Sequence, residues 1–132
     1  MKPLRTTFAI AACVIAAGAA HAGDPTGVWA TERNDDGNYL TVEVKPCGDK
    51  FCGYIIDGHE ANGEANPNYE NRGRQMIFDM VADGENKWDD GEIWAPDSDE
   101  TYSSNMELKG DVLRVEGCVL FICRGQDWTR VN

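Results

Sequence analysis

Few side chains in this sequence could carry bond-making chemistry. Apart from His21 near the start, His59 is the one histidine, set among Asp57, Glu60 and Glu64. Zinc there would need further nitrogen or sulfur ligands, and none stands free nearby, so His59 reads as a solvated loop residue. A Ser-His-Asp triad would have to recruit Ser98, Ser103 or Ser104, and no serine occupies a nucleophile-elbow pattern. Cysteine chemistry would draw on Cys47, Cys52, Cys118 and Cys123, which form two C-x-x-x-x-C pairs. A redox pair is usually C-x-x-C.

Carboxylates are the remaining resource. The segment Trp88-Asp89-Asp90-Gly91-Glu92-Ile93-Trp94 puts acids between tryptophans. In an unbroken strand Trp88, Asp90, Glu92 and Trp94 share one face, as an acid pair acting on a sugar would need. The plainer reading is an exposed strand with two packed tryptophans, and it is preferred because no fold analogy supplies an acid-pair site. Asp97-Ser98-Asp99-Glu100 and Asp35-Asp36 are dense in acid but lack the spacing of a calcium loop. There is no phosphate-binding loop, dinucleotide-binding glycine pattern or haem-attachment motif. The expectation is therefore no catalytic residue, no metal and no cofactor.

The start of the chain says where it acts. Lys2 and Arg5 precede an apolar run over 6–20, and Ala20-His21-Ala22 gives an A-x-A cleavage pattern. This is the layout of a secretory signal peptide over 1–22. Cys13 lies inside the apolar run and leaves with it. The rest, 23–132, is one domain in the periplasm or outside the cell. Cleavage removes Lys2 and Arg5 and leaves ten basic against 23 acidic residues, a net charge of −13. That field repels nucleic acid and anionic lipid. An even number of cysteines in an exported chain reads as disulfides. Four cysteines allow three pairings. The spacing favours Cys47–Cys52 and Cys118–Cys123, because each pair flanks a short connection between strand-like runs. Each bridge is worth roughly 2 kcal/mol by loop-closure entropy.

The elements that would position these groups are strands. Leu40, Val42 and Val44 alternate with polar neighbours, as do Tyr102, Ser104, Met106 and Leu108, and Leu113 with Val115. Met76, Phe78 and Met80 also fall at every second position. Period two over five to nine residues marks half-buried strands. Turn signals separate runs at about 27–32, 39–46, 53–57, 76–81, 87–94 and 101–108, with two or three more strands to the end. The long irregular segment is 58–72. The expected fold is all-β: eight to nine short antiparallel strands in an up-and-down barrel or a sandwich.

Two resemblances add to this reading. Gly27-Val28-Trp29 at the first strand resembles the Gly-x-Trp signature of the calycins, which include the lipocalins. The resemblance implies that Trp29 closes one end of a barrel, with a late basic side chain across its indole. Arg130 is the matching candidate and Arg124 the second. The stretch from Gly27 to Val131 also resembles a bacterial exported family known as domain of unknown function 2147. The resemblance is carried by Gly27-x-Trp29, Pro46-Cys47-Gly48 with Cys52-Gly53, Asn66-Pro67, Gly91-x-Ile93, Pro96, Thr101-Tyr102 and Trp128-Thr129-Arg130-Val131. The sequence departs from that pattern at Trp94, at Met76-Ile77 and in the pair Cys118 and Cys123. The resemblance implies a small lipocalin-like barrel and no established reaction.

The functional expectation is non-enzymatic binding of a small, partly apolar molecule inside the barrel. Met76, Phe78, Met80 and Met106 would form its walls, Ser104 and Tyr102 its polar points, with Tyr102 and Arg130 orienting the ligand. No nucleic acid and no membrane span are expected. Two alternatives stand beside it. One is a cell-envelope protein-interaction module using the long loop and the Trp88–Trp94 strand. The other is a carbohydrate hydrolase using Asp90 and Glu92.

Overall fold

A computed structural model describes residues 23–132; the expected leader over 1–22, with Cys13, lies outside the described residues. Eight strands run in chain order: β1 (Gly27–Ala30), β2 (Tyr39–Cys47), β3 (Lys50–His59), β4 (Gln75–Ala82), β5 (Lys87–Ala95), β6 (Glu100–Lys109), β7 (Val112–Val119) and β8 (Ile122–Arg130). Each pairs antiparallel with the next, and β1 pairs with β8, which closes the barrel. Closure satisfies the backbone groups that an open sheet would leave at its edges. The barrel, not the sandwich, is the architecture. No helix occurs among the described residues, and the long segment after β3 is built of turns.

The two ends differ. At one end the connections are tight, at residues 48–49, 83–86 and 110–111, and Gly48 and Gly110 take the positive φ values of 69° and 60° that such turns need. This end is packed solid. Trp29, Val44, Ile77, Met80, Met106, Leu113 and Trp128 are all buried. Phe51 meets Trp88 edge-on, with ring centroids 6.0 Å apart. The indole N–H of Trp29 donates to the Pro25 carbonyl (2.9 Å), and the guanidinium of Arg130 lies 4.3 Å from the Trp29 ring centroid. Arg130 also donates to the Thr26 carbonyl (3.0 Å) and faces Asp111 (3.5 Å). Gly27-x-Trp29 and Arg130 thus meet at this end of the barrel, with the guanidinium over the indole.

Strict alternation fails in β4 and β5. The β3–β4 register slips twice, and Asp79 takes φ 50°. A bulge inserts an extra residue and moves everything beyond it to the other face. Met76, Ile77 and Met80 are therefore all buried, although they are not two apart throughout. Phe78 is instead half-exposed opposite Glu92. In β5 the register slips between Trp88 and Gly91, with Asp90 at φ 57°. The expected common face of Trp88, Asp90, Glu92 and Trp94 does not form. Trp88 packs into the core, while Asp90 and Glu92 are exposed. Trp94 is covered by the Arg74 guanidinium at 3.4 Å and donates its N–H to Asp99 (2.9 Å).

The cavity at the open end of the barrel

The opposite end carries the longer connections: residues 31–38, 60–74, 96–99 and the tip of the β7–β8 hairpin. Between them lies a cavity of about 1330 Å³ that widens to solvent. Its walls are Leu40, Met76, Ile93, Tyr102, Val115 and Trp128; its rim carries Glu32, Asn34, Asn38, Glu60, Asn66 and Ser98. Ligand sites commonly enclose 300–1,000 Å³, so the space suffices for a small molecule even with the open funnel discounted.

Glycines help to keep it hollow. Gly117 lies in the wall, and a Cβ there would meet Ile93 and Tyr102 only at ordinary contact, 3.4 and 3.6 Å. A larger side chain would project into the cavity. Gly58 has the opposite role. A Cβ there would come within 2.7 Å of the Tyr69 ring, so glycine lets the long loop fold Tyr69 onto the barrel mouth.

The rim is ordered by polar contacts. The Tyr102 hydroxyl donates to Glu100 (2.6 Å) and lies 3.5 Å from the Ser98 hydroxyl. His59 ends β3 and stacks on Tyr39, with centroids 4.7 Å apart and planes 6° from parallel. Its Nδ1 donates to the Gly63 carbonyl (3.0 Å), which leaves Nε2 to accept from the Thr41 hydroxyl (3.0 Å). Arg33 covers the other side of Tyr39 at 4.6 Å. The solvated loop histidine expected from sequence is a fully hydrogen-bonded member of this stack. Arg124 is the sole lysine or arginine lining the cavity, and none of the ion pairs among the described residues uses it.

The residues grouped from sequence as barrel lining separate in space. Met76 and Tyr102 line the cavity. Met80 and Met106 belong to the packed end, and Phe78 is displaced by the β4 bulge. Ser104 is buried and donates to the Glu116 carbonyl (2.6 Å), so its hydroxyl is committed to the wall. Arg130, expected to help orient a ligand, is at the closed end over Trp29, far from the mouth. Asp90 and Glu92 line a surface groove outside the barrel with Ser103 and Asn105. They form no enclosed acid pair.

Both expected disulfides are present, Cys47–Cys52 and Cys118–Cys123. The first closes the β2–β3 turn at the packed end. The second clamps the β7–β8 hairpin at the cavity mouth, joining residues paired directly across the ladder. Cys47, Cys52 and Asp79 cluster closely, but both thiols are bonded to each other, so no thiolate is left to hold a metal.

What sequence reasoning missed is the mouth: Val119, Leu120, Phe121 and Ile122 at the hairpin tip, Tyr69 over Gly58, and the opening left by Gly117. The apolar run Val119 to Ile122 between paired cysteines was a usable signal, because turns are normally polar.

The family described as "Uncharacterized protein conserved in bacteria (DUF2147)" matches residues 27–130. No curated protein matches the chain. Among solved structures, protein HP1028 from Helicobacter pylori, described as belonging to the lipocalin family, is similar with a TM-score of 0.66 and 18% identity, covering 83% of this chain and 84% of that one. At that identity the likeness is one of fold.

Proposed function

The chain belongs to the bacterial family DUF2147, and from that premise we propose that it is an exported, non-enzymatic binding protein for a small, partly apolar molecule held at the open end of the barrel. The observation that carries this reading is the cavity of about 1330 Å³ with apolar walls and a polar rim. Burial of a ligand's apolar part against Met76, Ile93, Val115 and Trp128 supplies the affinity. Tyr102, and Arg124 as the one cation of the lining, orient its polar end. Two disulfides support export, because such bridges persist in oxidising compartments.

The test is native mass spectrometry of protein collected from the periplasm without detergent, beside a Gly117→Phe variant. The φ of Gly117 is not in the left-handed region and its surroundings leave room for a Cβ, so the variant is expected to fold while narrowing the cavity. A discrete extra mass that vanishes on denaturation, and is missing from Gly117→Phe, supports the reading. An apo mass together with no binding of an apolar fluorescent probe would overturn it.

A further inference from the structure

The tip of the β7–β8 hairpin is unlike the rest of the surface. Val119, Leu120, Phe121 and Ile122 are consecutive, apolar and exposed, Leu120 at 91% and Phe121 at 101%. Leu120 sits at φ 55° in a two-residue turn, a position hairpins usually give to glycine or asparagine. Neither solubility nor turn chemistry asks for leucine and phenylalanine there. The Cys118–Cys123 bridge holds the tip in this projecting form. The same four residues border the cavity mouth.

We propose that this hairpin tip inserts into a zwitterionic lipid surface and seats the open end of the barrel on it. This goes beyond ligand binding and does not require it. The tip is convex, and full exposure of Phe121 means that it rests on nothing among the described residues, so it is not a lid for the cavity they form. A second copy is disfavoured on two grounds. Each copy carries −13 over residues 23–132, so copies repel. The four tip residues by themselves stay below the roughly 800 Å² per partner of a stable protein interface. A bilayer needs neither a matching surface nor a large area, only apolar side chains able to reach the acyl boundary. The same negative charge selects the lipid, since anionic headgroups repel it.

Vesicle flotation tests this, using the chain from residue 23 and phosphatidylcholine vesicles at 0.15 M NaCl. Wild type co-floats, and Leu120→Ser/Phe121→Ser loses at least tenfold in bound fraction while keeping the wild-type circular dichroism spectrum and both disulfides. Replacing a third of the lipid by phosphatidylglycerol lowers binding, and added salt restores it. The Gly117→Phe variant binds vesicles like wild type, which separates docking from uptake of lipid as cargo. The proposal is overturned if wild type stays unbound, if binding follows Gly117→Phe instead of the tip, or if the tip variant merely converts a dimer to a monomer in sedimentation without changing flotation.

Discussion

The division of the barrel into a packed end and a hollow end predicts unequal costs for two isomeric side chains. Leu113 is fully buried and paired with Leu108 and Trp128, deep in the closed half. Ile93 is only half-buried and faces the cavity. Truncating Leu113 to alanine removes about 2 kcal/mol of transfer energy, and a residual void of roughly 50 Å³ at 24 cal/mol per Å³ adds about 1 kcal/mol. The expected total is about 3 kcal/mol. At about 2.1 cal/mol/K of unfolding entropy per residue, this lowers Tm by roughly 13 °C for residues 23–132. Ile93→Ala merely enlarges a space already open to water, so no new void forms and about 1 kcal/mol is expected. Its larger effect falls on the apolar probe's affinity, which weakens several-fold while Leu113→Ala leaves it nearly unchanged. Calorimetry with probe titration reads both. Equal Tm shifts, or a loss under about 1 kcal/mol at Leu113, would refute the partition into core and cavity.

Other outcomes follow from the closed end and the termini. Arg130→Ala removes the guanidinium from the Trp29 ring and its bond to the Thr26 carbonyl; urea unfolding should show a loss of about 1–2 kcal/mol. Arg130→Lys, which keeps the charge but loses the planar fork, falls in between. Asp24 has its carboxyl held below the ordinary aspartate range, first by the Thr26 hydroxyl and then by the Thr26 backbone N–H. A depressed folded-state pKa contributes stability that is present above the unfolded value of about 3.9 and is lost as pH falls through the folded one. Asp24→Asn should therefore be slightly less stable than wild type at pH 7 and equal to it in strong acid, by Tm against pH. Denatured intact mass of protein collected from the periplasm should correspond to 23–132 less four hydrogens; a mass retaining the first 22 residues would refute cleavage after Ala22.

Much of the barrel could be read from sequence because its hairpins are local. Period-two runs separated by glycine-bearing turns identify β2, β6 and β7, and each cysteine pair brackets one turn. Bulges are what that reading cannot see. Asp79 and Asp90 take left-handed backbone conformations that aspartate tolerates in any turn, so neither advertises a change of face. The changes of face follow from them: Phe78 moves outward, and Trp88 parts from Asp90, Glu92 and Trp94. The site was less readable than the fold for a further reason. A cavity is an absence, set here by Gly117 in β7 and by the longer connections at one end, and alternation reports which side chains face inward without saying which are packed. Met106 and Met76 look alike in sequence and both are buried, yet only Met76 also lines the chamber.

A hollow end has an energetic consequence that hydrogen exchange can measure. Side chains lining an open cavity give up contacts on one side, so the upper strands gain less from packing than the lower ones. The closed end holds Trp29, Trp88 and Trp128 in one cluster with Met80, Met106 and Leu113, and global stability should reside there. At the mouth, order depends instead on covalent and polar ties: the Cys118–Cys123 bridge, the Tyr39–His59 stack and Tyr69 against Gly58. Amides near Val44, Met80 and Leu113 should therefore exchange only through global unfolding, while those near Val119 and Ile122 open locally at lower cost. Replacing Cys118 and Cys123 by serine should accelerate exchange at the upper β7–β8 ladder by more than the roughly 30-fold that a loss of about 2 kcal/mol in global stability would give the closed-end amides. The closed-end amides should slow or speed only with global stability, a change of about 2 kcal/mol or less. If exchange rises equally at both ends, the barrel opens as one unit, and the mouth has no independent freedom with which to admit a ligand.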